Sequence, residues 1–370
     1  MQTETVRNEN AMPIKDAMLM GFATATANTL PEPLLFMGPS GCGKTKMAGQ
    51  FLRKMFAEYL GLEVGDEDGE FKQWHLDASI TDGAELRGLP KVEDHEDIHG
   101  NISSLSTWCP PDWLPKGDEA GLLLVDEPNT CADKSVQFAL YALTEERRIG
   151  DYRLPDGVFI VLCQNREQDA EGLEDTPAPL LSRCWVKEVR PVVNQWIEDF
   201  AIERCDIRIV AAARAYPELI EEWDGEAEGQ SPNGRAMYKA SNALKRWEEI
   251  GGTSSGLIEL FDGYLGRAAA TKVATVVRQF NDLIPINVIV ESPKTAPLPK
   301  SIDMELSLMC ALSKCADNQN LGAIIEYVER VQENAQSQES KSLFRNLLLH
   351  AVKNGSNAGE SRAFDGFVQC

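Results

Sequence analysis

Apolar runs and amphipathic stretches alternate along the first half of the chain, and the alternation ends near Pro191. Residues 1 to 12 are polar and mixed in charge and read as a loose arm. From Pro13 to Leu30 the apolar residues Ile14, Ala17, Met18, Met20, Phe22 and Ala23 recur at helical spacing. Leu34 to Met37 is a short apolar run of buried-strand type. Met47, Phe51, Leu52, Met55, Phe56 and Leu60 then mark one face of a helix over Lys46 to Leu60. Further strands are expected at Gln73 to Asp77, Gly121 to Val125, Phe159 to Cys163 and Val186 to Val189, with a helix from Ser135 to Glu145. Arg147 to Val158 reads as a hairpin turning at Pro155-Asp156-Gly157. Beyond Pro191 the pattern is helical: Trp196 to Tyr216, Arg235 to Glu249, and most of the chain after Gly256. A Pro-rich break (Ile284 to Lys300) and a polar patch (Gln332 to Ser342) interrupt it. Strands interleaved with helices, followed by helices alone, predict an α/β domain with a parallel sheet and then an all-helical part.

The run Leu34 to Met37 leads into Gly38-Pro39-Ser40-Gly41-Cys42-Gly43-Lys44-Thr45. This is the G-x-x-x-x-G-K-[ST] phosphate loop in its required setting, a strand before it and a helix after it. Successive backbone N–H groups in such a loop can wrap a polyphosphate, and the helix N-terminus adds its positive end. Lys44 is expected to reach the β- and γ-phosphates, and Thr45 to hold Mg²⁺ through its hydroxyl. A second signal is Gly121 to Glu127, where an apolar strand ends in two carboxylates. Asp126 is placed to hold the Mg²⁺ and Glu127 to polarise the water that attacks the γ-phosphate. Asn165, just beyond the strand Phe159 to Cys163, can orient that water or read the γ-phosphate. ATP and Mg²⁺ are therefore the expected cofactors.

Composition narrows the class further. The 370 residues are 43% hydrophobic and 25% charged, enough for two or three domains with cores of their own. No apolar run approaches the roughly 18 residues of a membrane span, so a cytoplasmic location without membrane contact is expected. The nine cysteines show no metal-knuckle spacing and read as reduced thiols. A formal net charge of −22 argues against a general phosphate-neutralising surface, so nucleic acid is not an expected partner. Glu93 to His99 carries two histidines among carboxylates and reads as a solvated acidic loop rather than a metal site. Trp108 to Pro115 reads as a rigid loop, either packed or presented to a neighbour.

With these motifs in place the chain resembles the AAA+ ATPases, in particular the MoxR-like and dynein-related branch. Gly38 to Thr45 is similar to Walker A, Leu122 to Glu127 to Walker B, and Asn165 to the sensor 1 asparagine. Leu180-Leu181-Ser182-Arg183 resembles the segment that carries an arginine finger, and Ser231-Pro232 with Arg235 resembles the sensor 2 motif, though Asn233-Gly234 separates Pro232 from Arg235. Residues 79–106 resemble the helix-2 insert of that branch, and 148–158 its pre-sensor hairpin. The resemblance implies an AAA+ αβα domain over 1–192, a helical lid over 193–300 and a helical extension over 301–370. It implies catalytic roles for Glu127, Asn165 and Arg183, nucleotide contacts from Gly38 to Thr45 and from Arg235, and metal contacts from Thr45 and Asp126. It also implies a hexameric homo-oligomer that remodels or activates a protein client, with a von Willebrand A-type domain protein as one candidate. Two other readings stay open: a subunit of a nucleic-acid translocating motor, and a nucleotide-gated assembly scaffold. The alternative for Arg183 is a salt bridge to the acidic surface.

Overall fold

The computed structural model describes residues 11–65, 69–96, 102–131, 133–166, 176–222, 230–281, 284–334, 340–353 and 356–369. The chain divides into two compact units, Met1–Pro191 and Val192–Cys370. Among the described residues no helix is long and apolar enough to cross a membrane.

The first unit is built on a parallel sheet. Its strands are β1 (Met12–Pro13), β2 (Leu34–Met37), β3 (Phe71–Asp77), β6 (Ala120–Asp126), β9 (Val158–Gln164) and β10 (Trp185–Arg190), in spatial order β1-β10-β2-β9-β6-β3. A strand pair, β4 (Leu89–Glu96) and β5 (Ile102–Cys109), and a short hairpin, β7 (Arg148–Ile149) and β8 (Tyr152–Arg153), stand outside it. The central strands are apolar on both sides because helices cover both faces, as parallel sheets require. On one face, α1 (Ile14–Ala25) and α3 (Arg53–Leu60) pack Ile14, Met18 and Phe56 against Phe36, Leu122, Leu124 and Phe159. On the other, α4 (Gly83–Arg87), α5 (Lys134–Glu146) and α6 (Ala178–Leu181) pack Leu86, Val136, Leu140 and Leu180 against Leu35, Leu123, Ile160 and Leu162. The result is an αβα sandwich. The helix after β2 starts as α2 (Lys44–Met47), two residues earlier than its apolar periodicity shows, and passes through a π-helical turn, Ala48–Leu52, into α3.

Two further features of this unit differ from the sequence reading. Where it is described, at residues 93–96, the segment expected to be an acidic loop is strand: β4 and β5 pair antiparallel from Leu89 opposite Cys109 to Glu96 opposite Ile102. Charged side chains here lie along a two-stranded ribbon, which can expose them without breaking its ladder. Residues 97–101, including His99, lie outside the described residues. The hairpin also turns earlier than expected. Arg148 pairs with Arg153 and Ile149 with Tyr152, so the turn is Gly150-Asp151, not Pro155-Asp156-Gly157. Gly150 supplies the left-handed φ of 59° that a two-residue turn demands.

The second unit is helical among the described residues, around one hydrophobic cluster drawn from Val193 to Phe367. The single helix expected over Trp196 to Tyr216 is instead interrupted. Its first part ends at Arg204, Asp206 is extended, and a new helix runs Ile207–Ala215. The cause is local: the Asp206 carboxylate caps the new helix by accepting from the Arg208 N–H, while its own N–H donates to Ser241 Oγ at 2.7 Å. The Pro-rich break is pinned by the helix Leu321–Glu333. There the buried Tyr327 hydroxyl donates to Pro297 O at 2.6 Å and Arg330 donates to Pro293 O at 2.6 Å.

Candidate functional site

The phosphate-loop sequence leaves the C-terminal end of β2. β2 pairs with β10 on one side and β9 on the other, and β9 in turn pairs with β6. The loop therefore opens where the winding order reverses, the position at which open parallel sheets bind ligands. Its glycines serve different ends. A Cβ on Gly38 would lie 2.6 Å from Val189 O on β10, so the loop needs close approach there. Gly43 has open space around it but adopts φ +99°, a conformation that other residues rarely reach.

Lys44 opens α2 and is buried, only 6% exposed. Its ammonium donates to Gly38 O at 2.8 Å, to Pro39 O at 2.9 Å and to Asn165 Oδ1 at 3.1 Å. An ammonium has three hydrogens, and each has an acceptor. Phosphate oxygens entering the loop would compete with its carbonyls for this charge. The next residue, Thr45, donates its hydroxyl to Asp126 Oδ1 at 2.6 Å. Asp126 ends β6, and its other oxygen, Oδ2, lies 2.8 Å from His75 Nε2 on β3. A hydroxyl beside a carboxylate is a hard oxygen pair of the kind Mg²⁺ accepts, the remaining ligands coming from water and substrate phosphates.

Glu127 follows in a left-handed conformation, φ 50°. Such a backbone is uncommon for a residue with a Cβ. It is held by the Glu127 N–H, which donates to Cys163 O at 2.8 Å. The carboxylate then accepts the Asn165 N–H through Oε2 at 3.2 Å. Burial raises the Glu127 carboxyl above its ordinary range. The Asn165 N–H and the Lys44 charge pull it part of the way back, and Asp126 and Asp77 push it up.

Asn165 joins the two halves of the cluster. Its side-chain oxygen accepts from Lys44, its N–H donates to Glu127, and its carbonyl accepts from Asn129 Nδ2 at 3.3 Å. The structure thus brings Lys44, Thr45, Asp126, Glu127 and Asn165 together at the ends of β2, β6 and β9. Arg183 lies apart from them. Its guanidinium forms an ion pair with Glu145 on α5 at 2.6 Å, donates to Pro179 O at 2.5 Å and lies over the Tyr141 ring. Arg235 belongs to the second unit, exposed near the start of the helix Gly234–Glu249 that Asn233 caps. His75 and Asn129 were not singled out from the sequence. Asn129 lies in the motif's shadow, three residues after Asp126; His75 is joined to the site only through the pairing of β3 with β6.

The chain matches no protein-family model, and no curated protein matches it. Among solved structures it is similar to the Aeropyrum pernix ORC2 protein in ADPNP–ADP complexes, at 12% identity over 98% of this chain and 96% of that one, with a TM-score of 0.38. It is also similar to the Aeropyrum pernix ORC1 protein in complex with DNA, at 17% identity over 94% and 85%, TM-score 0.37. A third is a single-residue mutant of Thermotoga maritima RuvB, at 16% identity over 86% and 87%, TM-score 0.35.

Proposed function

We propose that the chain is a Mg²⁺-dependent ATPase of the AAA+ type, in the MoxR-like branch, that works in the cytoplasm as a homo-oligomer, hexameric in form, to remodel or activate a protein partner. The observation that carries the hydrolytic part is the double attachment of Asn165, whose side chain binds Lys44 and whose N–H binds Glu127. It ties the group that would bind phosphate to the group that would activate water.

In this reading the loop N–H groups and Lys44 hold the β- and γ-phosphates. Thr45 and Asp126 hold the metal, which when bound offsets negative charge on the phosphates. Glu127 takes a proton from the attacking water as the water oxygen bonds to the γ-phosphorus and the β–γ bridge breaks, leaving ADP and phosphate. Asn165 keeps Glu127 and Lys44 in register through that exchange. Arg183 would act on the nucleotide of a neighbouring subunit. Within its own chain it pairs with Glu145 and donates to Pro179 O, away from the phosphate-loop cluster. A guanidinium supplied in this way is worth about 10³–10⁵-fold in rate.

The test is phosphate release from ATP by the full chain, with and without Mg²⁺, alongside Lys44→Ala. Metal-dependent release by the wild type, lost together with ATP binding in Lys44→Ala, is expected, as is ATP-dependent assembly by light scattering. Release that Lys44→Ala leaves intact would rule the reading out. Strong stimulation by DNA or RNA would redirect it to a nucleic-acid motor.

A further inference from the structure

His75 belongs to none of the motifs, yet it touches the residue on which the metal site depends. Its Nε2 lies 2.8 Å from Asp126 Oδ2, while Thr45 Oγ1 lies 2.6 Å from Oδ1 of the same carboxylate. The pairing of β3 with β6 explains the reach. Asp77 stands opposite Asp126 and His75 opposite Leu124. Alternate residues of a strand share a face, so His75 and Asp126 rise on the same side, one diagonal step apart. An ionised carboxylate only accepts hydrogen bonds, so the proton of this contact is on His75 Nε2.

β3 is the edge of the sheet, and no further strand flanks Asp126 on that side among the described residues. The terminal torsion of an aspartate is broad and soft. Two donors, one on each oxygen, hold the carboxylate in a single plane. Of the two, Thr45 is itself a candidate metal ligand and must share its oxygen with the cation. The other donor is His75.

We propose that His75 is a positioning residue for the divalent-cation site: its Nε2–H fixes the Asp126 carboxylate so that Oδ1 is presented beside the Thr45 hydroxyl. This rests on the reading of Thr45 and Asp126 as the metal-holding pair. Donors that orient a ligating carboxylate raise metal affinity by restricting it beforehand, and their loss typically costs about 10–100-fold in affinity. An ordinary surface ion pair would leave metal affinity where it was. The His75 side chain is half exposed, so removing it opens no cavity in the core.

The experiment uses Mn²⁺ as the probe, with free Mn²⁺ followed by electron paramagnetic resonance during titration of the full chain with ADP present. Wild type, His75→Ala and His75→Gln are compared, and binding of a fluorescent ADP analogue in EDTA serves as the metal-free control. His75→Ala is expected to weaken nucleotide-dependent Mn²⁺ binding about 10–100-fold and to leave metal-free nucleotide binding unchanged. His75→Gln, which returns an N–H at similar reach, is expected to recover most of the loss. If His75→Ala unfolds, His75→Asn, too short to reach Asp126, takes its place with the same expected loss. Wild-type Mn²⁺ affinity in the variant that folds overturns the proposal while leaving the ATPase reading intact. A wild-type chain that binds neither nucleotide nor Mn²⁺ overturns both.

Discussion

Replacing Glu127 by Gln separates the chemistry of the site from its architecture. The substitution keeps side-chain length and keeps an oxygen that can accept the Asn165 N–H, which now reaches Oε2 at 3.2 Å. It also keeps the left-handed backbone, φ 50°, at the same cost. What it removes is the capacity to take a proton. A positioned general base is worth about 10²–10⁴-fold, or roughly 3–5 kcal/mol on the barrier at about 1.4 kcal/mol per tenfold. Burial already disfavours the charged carboxylate at this position, so the neutral amide should leave the thermal midpoint unchanged or raise it. The expected result is turnover lower by that factor, with ATP binding retained and the melting temperature at or above that of the wild type. Phosphate release under single-turnover conditions, equilibrium ATP binding and a thermal melt measure the three quantities. Wild-type turnover would refute the assignment of Glu127 as the base. Loss of ATP binding together with turnover would show that its part is architectural.

Two further outcomes follow from packing and charge. Phe56 is fully buried, stacked on Phe159 with ring centroids 3.8 Å apart and tilted against Phe22 at 5.4 Å. Phe56→Ala should cost about 3–5 kcal/mol and lower the melting transition of the first unit by about 6–20 °C in calorimetry, at ~2–4 °C per kcal/mol; a shift of only about a degree would mean the site collapses around the loss. In the second unit, burial alone would raise the Asp206 carboxyl, but the Arg208 hydrogen bonds and charge bring it below its ordinary 3.8. A depressed folded value stabilises fully above the unfolded value and is lost as pH falls through the folded one. Urea midpoints of wild type and Asp206→Asn should therefore differ most at neutral pH and converge below about pH 3.8; a gap that persists in acid would contradict this.

Some of this was legible in the chain and some was not, for physical reasons. The placement of the Gly38–Thr45 loop and of the Asp126-Glu127 pair at strand ends was legible because it depends on neighbours along the chain: glycines at fixed offsets, a strand before, a helix after. The sandwich follows from Leu34 to Met37, Leu122 to Val125 and Phe159 to Leu162, apolar on both sides and so covered on both. Turn position was less legible. Pro155-Asp156-Gly157 carries stronger turn residues than Gly150-Asp151, but pairing Arg148 with Arg153 fixes the tighter turn. The break at Cys205-Asp206 is set partly by Ser241, a residue far along the chain, and no periodicity over Trp196 to Tyr216 reports it. Strand β4 was hidden by its charge, because an exposed ribbon needs no apolar face. His75 could not be found at all without strand register, since its contact is made across the sheet.

The threefold engagement of Asn165 limits what any change to its side chain can reveal. A substitution such as Asn165→Ala removes the acceptor that Lys44 uses. It leaves in place the N–H that steadies Glu127 and the carbonyl that receives Asn129, because every residue type except proline carries both. In the proposed mechanism, side-chain substitutions other than proline therefore read only the phosphate side of this junction. Its water side is written in main chain and is reached by chemical synthesis, by exchanging the amide for an ester. A position of this kind can change its side chain over evolutionary time and still keep half of its task.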